Sequence, residues 1–102
     1  MNDREEQFKQ LVAEFPTSPM GHFSLGRLYL EQQRWVEAAA CFETAVKLDP
    51  TYAAAHVALG DAWAGAGDPA KARAAWEQAL QTPHGKKDAS LQEDLAQRIS
   101  DL

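Results

Sequence analysis

The sequence predicts an all-α fold, an antiparallel stack of helix hairpins that forms one domain of about six helices. Two observations support this prediction. The stretch 22–50 matches the sequence that begins 34 residues later, which is typical of a chain built from repeats. Between the apolar stretches, Pro, Gly and Asp recur where a helix would end or begin. A hairpin repeat cannot bury its apolar face alone, so we expect the copies to stack around one continuous core.

The two copies place small, glycine and aromatic residues at matching positions. In the first copy these residues are His22, Leu25, Gly26, Tyr29, Ala38, Phe42, Ala45 and Pro50. In the second copy they are His56, Leu59, Gly60, Trp63, Ala72, Trp76 and Ala79. This pattern resembles the tetratricopeptide repeat (TPR), a helix–turn–helix unit of about 34 residues. The resemblance implies a right-handed α–α superhelix.

The resemblance divides the chain into four segments. They are a half-repeat helix at 3–18, two full repeats at 19–52 and 53–86, and a capping helix at 88–102. Phe8 lies 34 residues before Phe42, so the first segment corresponds to the second helix of a repeat. Both terminal helices carry a single apolar face, so we expect a self-contained unit rather than a slice of a longer array.

Capping residues and prolines predict where the helices begin and end. Ser18-Pro19 begins a helix, and Asp49-Pro50 ends one. Thr51 is expected to cap the helix that follows it, and Gly67-Asp68-Pro69 combines a turn, a cap and a helix start. The predicted helices cover about 3–15, 18–32, 35–48, 52–65, 69–82 and 88–102.

Two residues compete to cap the last helix. Ser90 and Glu93 match the S-x-x-E capping box, while Asp88 is an alternative cap two residues earlier. The apolar residues of this segment form one narrow stripe of Leu91, Leu95, Ile99 and Leu102. A helix with one apolar face after the last repeat is expected to cap the stack against solvent.

The small residues of each copy predict where two helices approach closely. Gly26 and Ala38 are placed to let the first hairpin close, and Gly60 and Ala72 correspond to them in the second. The large side chains are expected to fill the space between successive hairpins. These are Tyr29, Phe42, Trp63 and Trp76.

In the TPR family, the first helix of each repeat lines a concave groove that binds a peptide or a partner helix. The resemblance therefore implies a partner-binding face made of Met20, Phe23, Arg27, Leu30, Glu31, Ala54, Val57, Asp61 and Ala64. Four of these residues would form an exposed apolar strip with charges beside it, which is typical of a binding surface. They are Met20, Phe23, Leu30 and Val57. The alternative is that the terminal helices fold over and fill so short a groove.

The resemblance implies a protein–protein interaction module or adaptor without catalysis. The alternative function is structural homo-oligomerisation through the same apolar surface. One TPR subgroup grips the C-terminal carboxylate of heat-shock chaperones with lysine, asparagine and arginine. The matching positions here hold Phe23, Arg27 and Val57, with the carboxylate of Asp61 where an amide would help. We therefore expect no such carboxylate clamp.

Composition argues against several classes of partner. The 102 residues carry 10 Lys and Arg against 15 Asp and Glu, a net charge of −5, so a nucleic-acid partner is not expected. The acidic N-terminus does not resemble a signal peptide, and no apolar run approaches the roughly 20 residues that span a bilayer. The single cysteine, Cys41, cannot form an internal disulfide. These features predict a cytoplasmic protein that does not bind membranes.

No cluster of residues indicates an enzyme or a metal site. His22 and His56 stand where the family has tryptophan, and no second ligand lies at metal spacing on the same helix. They are expected to be packed or partly exposed histidines. Cys41 lies beside alanines and is expected to be a small buried side chain. The sequence therefore predicts no catalytic residue, no metal and no cofactor.

Overall fold

Six helices account for most of the computed structural model, which describes residues 3–102. They are α1 (Asp3–Glu14), α2 (Pro19–Glu31), α3 (Trp35–Leu48), α4 (Ala53–Gly65), α5 (Pro69–Gln81) and α6 (Ala89–Ser100). Each predicted helix is present, and each end lies within two residues of its predicted position. Helices α2 and α3 pair as one hairpin, α4 and α5 pair as the next, and α1 and α6 pack at the two ends of the stack.

Two helix starts follow the predicted capping chemistry. The Ser18 hydroxyl accepts a hydrogen bond from the Met20 N–H at 3.4 Å, and Pro19 occupies the first turn of α2. Asp68 accepts from the Lys71 N–H at 3.1 Å at the start of α5. Gly67, just before it, has a φ of 84°, a conformation that glycine adopts without strain.

Two other helix starts differ from the prediction or decide between alternatives. The prediction that Thr51 caps α4 is wrong: the capping position is Tyr52, and the N–H and hydroxyl of Thr51 both donate to Asp49 Oδ1, at 3.0 and 2.7 Å. Tyr52 precedes α4 without a side-chain capping bond. At α6, Asp88 rather than Ser90 is the cap, and it accepts from the Leu91 N–H at 3.0 Å.

In each hairpin, an aromatic ring of the second helix packs directly against a glycine of the first helix. A methyl group added to Gly26 would lie 2.7 Å from Phe42 Cε1, and Gly60 contacts the Trp76 ring in the same way. Phe42 and Ala38 are completely buried. The prediction that small residues allow close approach agrees with this packing. It placed the rings of Phe42 and Trp76 between successive hairpins, however, and missed their contact inside one hairpin.

The end helices are attached differently. Leu95 of α6 is completely buried against α5, with Leu91 and Ile99 beside it, whereas Leu102 lies beyond the helix and is exposed. No residue of α1 is fully buried. The single apolar face predicted for this first segment is only partly buried, because Phe8 and Val12 pack on the core while Leu11 and Phe15, just after α1, remain exposed.

A polar cluster holds α1 on the first hairpin. Glu5 accepts hydrogen bonds from Arg34 Nη1 at 2.8 Å and from the Tyr29 hydroxyl at 3.4 Å. Lys9 Nζ lies 3.0 Å from the same carboxylate. The hydrogen bond from Lys9 lowers the pKa of Glu5 most, followed by the bond from Arg34.

Candidate partner-binding cleft

A cleft of about 480 Å³ lies between the leading helices of the two hairpins, α2 and α4, and is closed at one end by α6. We call it the interhelix cleft. Its lining consists of Arg27, Leu30, Glu31, Ala53, Ala54, Val57, Ala58, Asp61, His84, Asp88 and Leu91. Six of these eleven residues are aliphatic, and the other five carry ionisable side chains. An apolar side chain of a partner would therefore find both a site of matching chemistry and polar groups to orient it.

Six of the nine predicted groove residues line the interhelix cleft. They are Arg27, Leu30, Glu31, Ala54, Val57 and Asp61. Met20 is 68% exposed, but it lies near the start of α2 and does not line the cleft. Ala64 is exposed near the end of α4, also outside the cleft.

Phe23 does not line the cleft either, because it packs against other aromatic rings. Its ring centroid lies 5.0 Å from that of Tyr52 and 5.8 Å from that of Phe42. Leu30 and Val57 serve two roles, since they line the cleft and also pack against the buried clusters. Of the four residues of the predicted exposed apolar strip, only Leu30 and Val57 thus line the cleft.

An ion pair between α4 and α6 occupies one wall of the cleft. Arg98 Nη1 lies 2.5 Å from Asp61 Oδ1, and Arg98 Nη2 lies 3.0 Å from Asp94 Oδ2. Burial raises the pKa of the Asp61 carboxyl, and the positive charge of Arg98 acts in the opposite direction. Asp61 therefore holds the capping helix in place, a contact that the sequence analysis did not foresee.

The other charged groups of the cleft differ in whether they have a partner. Glu31 lies 3.5 Å from Arg4, and Asp88 caps α6 and lies 3.1 Å from His84. Arg27 has no carboxylate partner within residues 3–102, and its guanidinium lies 5.8 Å from the centroid of the Phe23 ring. Arg27 thus lines the cleft as a cation that makes no ion pair with residues 3–102.

Comparison with known proteins identifies the family to which this arrangement belongs. The family model of the tetratricopeptide repeat matches residues 5–52 and, in a second match, residues 23–89. The chain belongs to the tetratricopeptide repeat family. The TPR repeat-containing protein PA0015 of Pseudomonas aeruginosa is 38% identical over 86 residues, which cover 82% of each chain. The solution structure of protein BPP2914 from Bordetella parapertussis superposes with a TM-score of 0.80 at 29% identity, covering 99% of this chain and 88% of that one.

These matches confirm the predicted fold and family, an all-α TPR protein. TPR domains generally bind protein partners and generally act as scaffolds without catalysis. The half-repeat, repeat and cap boundaries, and the assignment of individual residues to a partner, stay predictions.

The α5–α6 loop contributes residues to this TPR cleft that the sequence analysis missed. Gly85 N–H donates to the buried Thr82 hydroxyl at 3.0 Å, and Gln92 Nε2 donates to the Gly85 carbonyl at 2.9 Å. These bonds hold the loop that carries His84 at the cleft. A second shift of 34 residues maps Val57 onto Leu91, and this register would have indicated Leu91 as a lining residue. We find no comparable signal for His84.

The two repeat histidines have a structural role that is the same in both copies. His22 Nε2 lies 3.1 Å from the Pro16 carbonyl, and His56 Nε2 lies 2.8 Å from the Pro50 carbonyl. A carbonyl only accepts hydrogen bonds, so Nε2 carries the proton in each ring. Each histidine ties its leading helix to the turn before it, in agreement with the predicted packing role.

The remaining candidate features are metal-binding clusters, the Cys41 thiol and membrane-spanning helices. Among residues 3–102, no group of three or more His, Cys, Asp and Glu is arranged to hold a metal ion. Burial raises the pKa of the half-buried Cys41 thiol to about 11, which keeps it in its unreactive neutral form. No helix within the same range combines the length and apolar character needed to cross a bilayer.

Proposed function

We propose that this TPR domain binds an apolar segment of a partner protein, a peptide or a single helix, in the interhelix cleft. What supports the proposal is a cleft of about 480 Å³ whose walls, α2 and α4, belong to one packed core. Its aliphatic lining residues Leu30, Val57 and Leu91 come from three different helices. A site held by packed helices is formed before the partner arrives, which reduces the ordering cost of binding.

The size of the cleft sets the expected affinity. Burial of one leucine-sized side chain contributes about 1.5–3 kcal/mol. A cleft of this volume has room for one or two such side chains, and association itself costs several kcal/mol. The cleft alone therefore supplies less than the about −8 kcal/mol of a micromolar complex, so we expect micromolar binding to require further contacts along α2 and α4.

A matched pair of substitutions on α4 tests the proposal. Ala54 and Ala64 are both exposed, but only Ala54 lines the cleft. Ala54→Gln places a long neutral side chain in the cleft, and Ala64→Gln makes the same change outside it. A partner captured from native lysate by the wild-type chain is identified by mass spectrometry and titrated against all three proteins by calorimetry.

We expect Ala54→Gln to weaken binding at least about tenfold and Ala64→Gln to leave it unchanged, with equal helicity by circular dichroism. A tenfold loss is about 1.4 kcal/mol, the order of one displaced side-chain contact. Equal binding by the two variants would show that the partner does not use the cleft. Phe23 is unsuitable for this test, because its contacts with Tyr52 and Phe42 make it part of the fold.

A second candidate function is self-association, and one observation favours it. Leu11, Phe15 and Met20 are exposed by 37%, 55% and 68% at the edge formed by α1 and the start of α2. This apolar edge lies outside the cleft, so a dimer formed through it would leave the cleft open. Light scattering during size-exclusion chromatography measures the mass directly. A monomeric mass up to about millimolar concentration would exclude this function.

A further inference from the structure

We propose that the partner segment carries a carboxylate side chain next to its apolar anchor, and that Arg27 of α2 binds this carboxylate. The inference rests on the proposed function and adds the chemistry of the partner. It selects an Asp or Glu within the partner chain, in preference to a basic or a neutral residue.

The first step is the charge balance of the interhelix cleft. Each carboxylate that lines it has a cationic or hydrogen-bonding partner within the chain: Arg98 for Asp61, Arg4 for Glu31, and His84 with the Leu91 N–H for Asp88. Arg27 has no such partner among residues 3–102. An incoming carboxylate gains a guanidinium that makes no ion pair within the described chain, whereas an incoming cation would compete with those internal partners.

The repeat explains why Arg27 is unpaired. Arg27 and Asp61 occupy the same position of the two copies, 34 residues apart, and therefore the same turn of two adjacent leading helices. The capping helix supplies Arg98 to Asp61. The acid on the neighbouring leading helix is thereby engaged, and Glu31, one turn after Arg27 on α2, pairs with Arg4, so Arg27 makes no ion pair at the cleft within residues 3–102.

The position of Arg27 also determines where the partner's acid would lie. Its guanidinium rests over the Phe23 ring, with 5.8 Å to the centroid, and Tyr52 packs on the same ring at 5.0 Å. The guanidinium thus contacts the Phe23 ring on one side, and its exposure leaves it accessible to a partner. Leu30 follows on the same helix face, one turn later, about 5–6 Å away between Cβ atoms. The partner's acidic and apolar side chains should be within one helical turn, or two residues apart in an extended chain.

The neighbours of Arg27 favour a side-chain carboxylate over a chain terminus. A terminal carboxylate is well held where several donors converge on it, since each of its oxygens accepts more than one hydrogen bond. Phe23 precedes Arg27 by one turn on α2, and Val57 faces the same cleft from α4. Neither side chain offers a donor. A single guanidinium matches one Asp or Glu side chain through two parallel N–H···O bonds.

Four peptides test the inference by fluorescence anisotropy with the full chain. All share a length and two leucine anchors, and three are amidated at the C-terminus with Glu, Gln or Lys next to an anchor. The fourth has Gln and a free C-terminal carboxylate. We expect the Glu peptide to bind about two- to fivefold more tightly than the amidated Gln peptide, as for an exposed ion pair. The Lys peptide should bind most weakly, although the net charge of −5 would attract it over long range.

Variants at Arg27 provide the second arm. Arg27→Gln should abolish the preference for Glu, and Arg27→Glu should reverse it in favour of Lys. Arg73→Gln removes the same charge from an exposed site on α5 outside the cleft and should retain the preference. A preference for Glu that survives Arg27→Gln but not Arg73→Gln would overturn the assignment, as would tightest binding of the Lys peptide by the wild-type chain.

The outcomes separate this inference from the proposed function. If all three amidated peptides bind equally and Ala54→Gln blocks them, the inference fails and the cleft function stands. If the free C-terminal carboxylate binds more tightly than the amidated Glu peptide, the choice of a side-chain acid is wrong. If no peptide binds at millimolar protein, the proposed function fails together with the inference.

Discussion

The seating of Phe42 on Gly26 makes the first hairpin sensitive to a single methyl group. In Gly26→Ala the new Cβ would lie 2.7, 2.9 and 3.0 Å from Phe42 Cε1, Cδ1 and Cζ. Phe42 is completely buried, so its ring has no open space to move into. Replacing Gly by Ala inside a helix gains about 1 kcal/mol of helix propensity, whereas overpacking costs about 1–3 kcal/mol. With three ring atoms in contact, we expect a net destabilisation of about 1–2 kcal/mol.

Gly21→Ala is the matched control on the same helix. Its Cβ would lie 3.3 Å from Val12 Cγ2 and 3.4 Å from Leu11 Cγ, and Leu11 is 37% exposed and can shift. We expect this variant to be neutral or stabilised by up to about 1 kcal/mol. Urea unfolding followed by circular dichroism measures both changes. In heat, Gly26→Ala should lower Tm by about 4–15 °C in a domain of this size.

A double-mutant cycle tests whether contact with the Phe42 ring causes the destabilisation by Gly26→Ala. Phe42→Leu removes the ring atoms that a methyl group at Gly26 would meet, so Gly26→Ala should cost less in its presence. The reasoning is refuted if Gly26→Ala is as stable as Gly21→Ala, or if its cost is unchanged by Phe42→Leu.

Three further predictions follow from the contacts of α1, α3 and α6. Arg98→Gln leaves the half-buried Asp61 carboxylate without its cation. We expect it to destabilise the chain by about 1–2 kcal/mol, a value between those of exposed and buried ion pairs. Adding Asp61→Asn to this variant removes the unpaired charge and should recover part of the lost urea midpoint. Folding lowers the pKa of Glu5 below its ordinary value of 4.5, mainly through Lys9. The stability that the Glu5 carboxylate contributes is therefore present at neutral pH and is lost as the pH falls through the folded-state pKa. Glu5→Gln should reduce the fall of the urea midpoint between about pH 5 and pH 3. Cys41, whose pKa burial raises to about 11, should react with a thiol reagent at about pH 8 much more slowly in the native chain than in urea, and equal rates would contradict its burial.

Local features of the sequence were sufficient where neighbouring residues decide the structure. Ser18-Pro19 and Gly67-Asp68-Pro69 begin helices because each cap accepts from a backbone N–H two or three residues later. Where two neighbours compete, the same reasoning was insufficient. Thr51 was expected to cap α4, but the capping position is Tyr52 and the Thr51 hydroxyl donates to Asp49 Oδ1 within the turn between the hairpins.

The resemblance to the tetratricopeptide repeat implied a set of nine groove residues on α2 and α4, and six of them line the interhelix cleft. It did not predict which of those residues are accessible. Tyr52 covers Phe23, and Arg98 engages Asp61, through contacts between residues 29 and 37 positions apart in the chain.

The sequence by itself therefore determined the helices, their pairing and the family, since these depend on periodicity and on bonds between near neighbours. The location of the cleft residues that remain open, and the isolation of the Arg27 charge, were decided by the tertiary structure. The physical reason is that α6 packs on α5 through the buried Leu95 and pairs with α4 through Arg98 and Asp61, and no local pattern encodes where a capping helix makes its contacts.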